Sequence, residues 1–259
     1  MNTRKSHIAA FAGIALALIA SSASAVAYNV NWMQLTPTPF GSAPPFSGTY
    51  NLPGIGAVQM TYTAHPDFAE ARFQNPALAT GTLNYGGDTY SWTNNEVLGR
   101  TNWAWSGVLN SPWQVTYTFP GTVSAGQIVV GTIGLGRRNP NPNESPIDVI
   151  TRVTVLQNGT YFGDWTGALN VGPASFSSGP GIFSLMNSLS GPGGADPWWN
   201  TGLSLVRVND AMNSLTVYFN QTAGDGAGVN IGVLTPEPAT LGLLAMGGLA
   251  LLRRTRKAG

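Results

Sequence analysis

Cysteine is absent from this sequence of 259 residues, which excludes disulfide bonds, thiolate metal ligands and a cysteine nucleophile together. Charge is also scarce: only 9% of residues are charged, whereas 33 glycines and 18 prolines supply many tight turns. This composition argues against long solvated helices and against a charged disordered chain, and it favours β-structure. The length is enough to bury a core, as one large β-domain or as two small domains.

Lysine is missing from the whole central part of the chain. Residues 26–235 contain six arginines, no lysine and ten acidic residues, a net charge of −4, although the whole chain carries +1. The basic surplus therefore lies in the two ends of the chain. Nucleic-acid binding needs a basic surface, so we expect no nucleic-acid partner.

The first 25 residues have the three parts of a secretory signal peptide. Arg4 and Lys5 precede an apolar stretch, residues 8–20, and Ala23 and Ala25 satisfy the small-x-small rule for cleavage. Thirteen apolar residues are fewer than the roughly 20 that cross a bilayer, which argues against a permanent membrane helix. We expect export by the Sec machinery and cleavage by signal peptidase after Ala25, with a second possible register after Ala27.

A short apolar segment with a basic end lies near the carboxyl terminus. Residues 239–252 carry no charge, and they are followed by the basic cluster Arg253, Arg254, Arg256 and Lys257. By the positive-inside rule, the cluster stays cytoplasmic and the preceding domain lies outside the inner membrane. Fourteen residues form a transmembrane helix of only about 21 Å, which suits a temporary stop better than a durable anchor. The alternative, a buried core helix, is disfavoured by the four adjacent charges.

Two prolines bracket a glutamate directly before the apolar segment. Pro236, Glu237 and Pro238 should be extended and exposed, because proline fixes φ and removes backbone donors. This motif, the apolar residues 239–252 and the basic residues 253–257 together resemble the PEP-CTERM sorting signal of Gram-negative bacteria. The resemblance covers about 24 residues. It implies an exosortase as partner, transient anchoring in the inner membrane, processing near Glu237, and delivery to the cell surface or the extracellular polymer matrix.

Alternating apolar and polar residues recur between the two ends, as in half-buried β-strands. Four segments place these side chains on one face: Val58, Met60 and Tyr62; Val115, Tyr117 and Phe119; Val149, Thr151, Val153 and Val155; Leu215, Val217 and Phe219. Further candidate strands are YNVNWMQL, TYSWT, TNWAWSGVL, GQIVVGTIGLG, TYFGDWTG, LSLVRVN and VNIGVL. So many short strands indicate an all-β fold, an antiparallel β-sandwich of jelly-roll type.

The segments between these strands complete the predicted organisation. Residues 66–73 have a helical pattern with Asp67 as N-cap and Glu70 at the capping-box position, and residues 182–189 have a second one. Residues 134–146, and 170–181 continuing to 191–200, read as long loops suited to binding. Without internal repeats or a break in composition, residues 26–234 are expected to form one domain, followed by a sorting tail, residues 235–259.

Signals for catalysis are sparse in the expected domain. Its single histidine is His65, next to a proline, and we interpret it as a polar loop or sheet-edge residue. The carboxylate pairs Asp67/Glu70 and Glu144/Asp148 could serve a glycoside hydrolase only if they face a cleft. The segment GTIGLGRR lacks the spacing of a phosphate loop, and AGDGAG around Asp225 reads as a hairpin turn. We therefore expect no catalytic residue, no metal site and no cofactor.

Tryptophan gives the main signal for binding. All eight tryptophans fall within the expected domain, and the loop ADPWWN combines Asp196, Trp198, Trp199 and Asn200. Indole faces stack on the C–H faces of sugars while carboxylates and amides bond the hydroxyls, so this loop is our candidate glycan-binding site. Trp103 and Trp105, on one face of a candidate strand, form a weaker candidate. For all four, core packing is the competing interpretation, and a structural or adhesive role of the domain is the leading one.

Overall fold

The computed structural model describes residues 25–35, 46–63, 70–73, 79–95, 97–100, 111–138, 149–167, 173–187, 201–221 and 227–237. The named elements in these ranges are all strands, arranged in two sheets. The predicted all-β sandwich is confirmed. Residues 1–24 of the expected signal peptide, residues 1–25, and the apolar segment, residues 239–252, lie outside the described ranges.

Sheet I contains nine of the described strands. In spatial order they are β12 (Gly159–Trp165), β15 (Leu203–Val208), β9 (Ile128–Ile133), β17 (Ala227–Pro236), β1 (Ala27–Trp32), β6 (Asp88–Trp92) and β5 (Gly81–Tyr85), with β7 (Val97–Arg100) beside β17 and β4 (Glu70–Phe73) beside β7. Neighbours are antiparallel except β1 and β6, which are parallel. The last described strand, β17, is central in the sheet.

Sheet II contains eight described strands. They are β13 (Ala174–Gly179), β14 (Ile182–Asn187), β11 (Val149–Val155), β16 (Met212–Gln221), β8 (Ser111–Val123), β3 (Gly56–Thr63) and β2 (Phe46–Leu52), with β10 (Arg137–Arg138) beside β11. Its pairings are antiparallel.

The main core fills the space between the two sheets. The faces predicted for β3, β8 and β16 are buried as expected, and so are Thr151, Val153 and Val155 of β11; the side chain of Val149 lies outside the description. Trp113 and Phe219, on neighbouring strands β8 and β16, stack with ring centroids 3.7 Å apart. Period-two alternation thus correctly identified the buried face of sheet II.

Strands β9, β15 and β17 of sheet I are buried on both faces, which gives the protein a second core. Along β9, Ile128 and Val130 join the main core, whereas Val129 and Ile133 join a separate cluster on the other face. That cluster contains Val30, Trp32, Tyr90, Trp92, Val97, Phe162, Leu203 and Leu205. Strands buried on both faces read as continuous apolar runs, as IVVGTI does.

The edge strands β5 and β12 approach each other, so sheet I curls around its second core. A Cβ placed on Gly81 of β5 would lie 2.6 Å from Nε1 of Trp165 on β12, so only glycine fits at this contact. The β5–β6 hairpin turns at Gly86 and Gly87, with φ values of 63° and 92°. Two positive φ values are typical of a type I′ turn, which favours glycine.

Several local predictions were wrong. The residues expected to form helices contain strands instead: Glu70–Phe73 pairs with β7, and Ile182–Asn187 pairs with β11 and β13. Strand β13 occupies part of the predicted loop 170–181. In each of these cases, cross-strand pairing outweighs local propensity. The hairpin turn predicted around Asp225 lies outside the described residues; the strands on either side of it, β16 and β17, belong to different sheets.

Within the described residues, we find no helix with the length and apolar character needed to cross a membrane.

Candidate functional site

Strands β1 and β17 bring the two ends of the sandwich together. Their antiparallel register places Tyr28 opposite Pro236 and Asn29 opposite Thr235. One residue further, the backbone N–H of Glu237 donates to the carbonyl of Ala27 over 2.9 Å. Pro236 is extended and exposed, as predicted, whereas Glu237 is half-buried and Pro238 lies outside the description. The proline–glutamate segment thus continues the central strand of sheet I.

The start of β1 is also bonded on its other side, to β6. The backbone N–H of Val26 donates to Oδ1 of Asp88 over 2.9 Å, and the carbonyl of Val26 accepts from the N–H of Thr89 over 3.0 Å. We call Val26, Ala27, Asp88, Pro236 and Glu237 the terminal junction. It fixes the beginning of β1 between the end of β17 and the start of β6.

An aromatic row packs beside the terminal junction. Tyr28 stacks on Tyr90 with centroids 5.3 Å apart, and Tyr90 stacks on Phe162 at 4.2 Å. Burial, with a smaller contribution from Asp88, raises the pKa of Tyr90 to about 12. This phenol is therefore neutral at physiological pH, and it anchors the junction by packing.

A polar groove opens where β1 and β6 separate. Their described pairing ends at Asn29 and Ser91, and a groove with a volume of about 570 Å³ follows. Its walls come from β1, β5 and β6, from the segments after β1 and β6, from Pro53 between β2 and β3, and from Thr80 before β5. Carboxamides and hydroxyls dominate the lining: Asn29, Asn31, Gln34, Asn94, Thr80, Thr82, Ser91 and Thr93. We call this feature the amide groove.

Tryptophans line the amide groove and extend beneath it. Trp32 and Trp92 belong to the lining and meet edge to face at 6.5 Å, and Trp165 meets Trp92 in the same way at 6.0 Å. The benzene edge of Trp32 lies against β9 and β17, because a Cβ on Gly131 would lie 2.6 Å from its Cη2. Its Nε1 edge is turned away from those strands, and this buried Nε1 has no hydrogen-bond partner.

The amide groove suits an uncharged, hydroxyl-rich ligand. None of its described lining residues carries a charge. Carboxamides and hydroxyls both donate and accept hydrogen bonds, and indole adds apolar area. The volume lies within the range of about 300–1,000 Å³ that is usual for small-molecule sites. The lining has no group suited to acid–base catalysis, and the described residues contain no cluster of three or more potential metal ligands.

A family model for the PEP-CTERM protein-sorting motif matches residues 234–257. The chain carries a PEP-CTERM protein-sorting motif. The resemblance predicted from Pro236, Glu237 and the following residues is thereby confirmed. The PEP-CTERM motif implies export, a membrane-anchored sorting signal and an exosortase as processing partner. It begins inside β17, so the end of the sandwich and the start of the motif overlap at the terminal junction.

Two solved structures are distantly similar to the sandwich. One is TmCBM61 in complex with beta-1,4-galactotriose, with 11% identity and a TM-score of 0.31 over 69% of this chain and 88% of that chain. The other is the N-terminal domain of the Streptococcus gordonii adhesin Sgo0707, with 10% identity and a TM-score of 0.32 over 73% of this chain and 45% of that chain. No curated protein sequence matches the chain significantly.

Most other candidate residues from the sequence lie outside the described ranges. These are Ala23, His65, Asp67, Trp103, Trp105, Glu144, Asp148, Asp196, Trp198, Trp199, Asn200 and, after the PEP-CTERM motif, Arg253, Arg254, Arg256 and Lys257. The glycan site predicted at Trp198 and Trp199 stays a prediction. Ala25 is described and exposed, next to the terminal junction.

The amide groove was not predicted from the sequence, although one signal for it is present. In YNVNW, the amides Asn29 and Asn31 alternate with buried Val30 and Trp32, so one face of a central strand is polar. Both asparagines line the groove, together with Val30 and Trp32.

Proposed function

We propose that this protein is a non-enzymatic β-sandwich with a structural or adhesive role, displayed on the cell surface or in the extracellular matrix after sorting by an exosortase. The observation that supports it best is the direct continuation of β17 into the PEP-CTERM motif. A rigid strand holds the domain next to the processing site, so sorting delivers the whole sandwich.

Replacing Glu237 with alanine tests the sorting part of the proposal. The described hydrogen bond of Glu237 uses its backbone N–H, so Glu237→Ala leaves the junction bond intact. We expect the variant to fold with an unchanged melting temperature and to accumulate uncleaved in the cell envelope. Removing Arg253 and Arg254 should give the same accumulation. The measurement is the C-terminal peptide mass in envelope and extracellular fractions.

Release of Glu237→Ala protein with the parental C-terminus would contradict processing at this glutamate. A destabilised variant would identify misfolding as the cause of retention, which the melting temperature distinguishes.

A second candidate function is binding of a neutral glycan, and the amide groove favours it. Four carboxamides and four hydroxyls line a groove next to two indoles, and the lining carries no charge. Sugar hydroxyls would bond the amides while a sugar C–H face packs on indole. An exopolysaccharide is the ligand class that a surface-displayed protein would meet in this groove.

Binding is tested with the exported, processed protein and the exopolysaccharide of its own bacterium, beside a neutral and an acidic oligosaccharide. Gln34→Ala/Thr93→Ala removes two exposed polar side chains from the groove. Gln59→Ala/Thr118→Ala is the matched control, since this pair is exposed and paired on sheet II. We expect the groove variant to lose about 30-fold in affinity, since two lost hydrogen bonds of about 1 kcal/mol each amount to about 2 kcal/mol.

Trp198→Ala/Trp199→Ala distinguishes the two glycan sites. Loss of binding only in this variant would place the site in the loop predicted from sequence instead of the amide groove. Equal affinity in all variants would reject both sites. Release of new reducing ends from the polysaccharide would contradict the non-enzymatic role.

A further inference from the structure

The amino group created by signal-peptide removal has a partner already in place. In the unprocessed chain, the Val26 N–H is an ordinary amide that donates to Oδ1 of Asp88 over 2.9 Å. Hydrolysis of the Ala25–Val26 bond consumes one water, leaves a carboxylate on Ala25 and gives Val26 an ammonium group. The same nitrogen then carries a positive charge at hydrogen-bond distance from a carboxylate.

We propose that signal peptidase cleaves after Ala25 and that the resulting Val26 ammonium forms an ion pair with Asp88, which locks β1 into the terminal junction. Charge-assisted hydrogen bonds are roughly twice as strong as neutral ones. Processing at the amino end therefore strengthens the part of the sheet that holds the sorting motif.

The geometry of the junction distinguishes the two cleavage registers. Cleavage after Ala27 would remove the Val26 donor to Asp88 and the Val26 carbonyl that accepts from Thr89. It would also remove the Ala27 carbonyl, which accepts from Glu237. Cleavage after Ala25 keeps all three bonds and acts at a residue that is exposed.

The position of Asp88 is set independently of the amino terminus. It directly follows the Gly86–Gly87 turn and pairs with Tyr85 across the β5–β6 hairpin. Parallel pairing of β1 with β6 then aligns Ala27 with Thr89, one residue beyond each partner of the proposed ion pair. The carboxylate is thus presented by a turn that forms locally.

The first test is the N-terminal peptide mass of the full chain after export. A start at Val26 is expected. A start at Tyr28, or a retained signal peptide, would overturn the proposal.

The second test is a cycle of four exported proteins. Insertion of Gly-Ser between Ala25 and Val26 keeps the cleavage rule but turns the Val26 nitrogen back into an amide. Asp88→Asn keeps a side chain of the same shape without its charge. We expect the insertion to lower the melting temperature by roughly 2 °C when Asp88 is present, and by less than half as much when it is Asn. Equal shifts in both backgrounds would overturn the ion pair.

A pH series separates charge from shape and serves if the Asn variant does not fold. An α-amino group has an ordinary pKa of about 8, and a neighbouring carboxylate raises it in the folded protein. Its contribution to stability is therefore present at neutral pH and lost as pH rises above that folded value. The Gly-Ser insertion should lower the stability of the protein at pH 7 and change it little at pH 10. A loss of stability that does not depend on pH would contradict the proposal. The other titratable groups around the junction are Tyr28, Tyr85, Tyr90, Arg207 and Glu237.

Discussion

At the scale of single residues, Asp210 connects three turns at one end of the sandwich. Its carboxylate accepts from the backbone N–H of Asn158 over 2.6 Å and from the Asn158 side-chain amide over 2.8 Å. Oδ1 of Asn158 in turn accepts from the N–H of Gly181. These contacts join the β11–β12, β13–β14 and β15–β16 connections. They tie two connections that run between the sheets to a turn of sheet II, without any disulfide.

This contact predicts a pH dependence of stability. Hydrogen bonds from Asn158 lower the pKa of Asp210 below its ordinary value of 3.8. The unfolded chain therefore binds a proton at higher pH than the folded protein, so the contribution of Asp210 is complete above that ordinary value and lost as pH falls through the folded value. Asp210→Asn should lower the melting temperature at pH 7, with a difference that shrinks at pH 3. A difference that is constant with pH would contradict this assignment.

At the scale of elements, glycines on two central strands make room for Trp32. Gly131 of β9 and Gly232 of β17 lie under its indole, where a Cβ would approach ring carbons to 2.6 Å and 3.1 Å. The tryptophan is 5% exposed and cannot move aside easily. Packing of the second core thus depends on the absence of side chains at Gly131 and Gly232 as much as on the side chains that fill it.

Gly131→Ala should destabilise the protein by about 1–3 kcal/mol through overpacking. Gly121→Ala is the control, since a Cβ there meets no atom within 4 Å, and it should change stability by less than about 0.5 kcal/mol. In Gly131→Ala/Trp32→Phe, the costs should be less than additive because the smaller ring leaves space. Urea unfolding followed by fluorescence measures the unchanged protein, the control, the single variants Gly131→Ala and Trp32→Phe, and the double variant; strict additivity would argue against contact between Gly131 and Trp32.

The strands of the two sheets show how much of the fold could be predicted from the sequence. Alternation was enough for sheet II, where one face is buried and the other is solvated. It failed at Glu70–Phe73 and Ile182–Asn187, where residues with helical patterns pair with β7 and with β11 and β13. Short segments of this kind are decided by their partners in the sheet. The curl of sheet I and its second core also depend on long-range contacts.

The amide groove was hidden for the same reason. It combines residues 29–32, 34, 53, 80–82 and 91–94, which become neighbours only when β1 lies parallel to β6. The sorting motif, by contrast, is contiguous and needs no fold, so it was predicted in full. Binding residues spread over several strands require the topology first.

At the scale of the whole molecule, β17 holds sheet I together. It pairs with β9 on one side and with β1 and β7 on the other, and residues 227–233 are buried throughout. A chain that stops after Gln221 should therefore be degraded in limited proteolysis, whereas one that stops after Glu237 should resist. Equal resistance of the two would show that sheet I forms without its central strand.

The pairing of β1 with β17 also determines when sheet I can be completed during export. A chain that leaves the translocon from its amino end presents β1 early, yet its partner β17 emerges some two hundred residues later. Until then β1 has an unpaired edge. Because its partner strand is so distant in sequence, we expect this β-topology to fold slowly. Sheet I is completed only when residues 227–236 have emerged, so the emergence of the sorting motif and the final folding of the domain coincide.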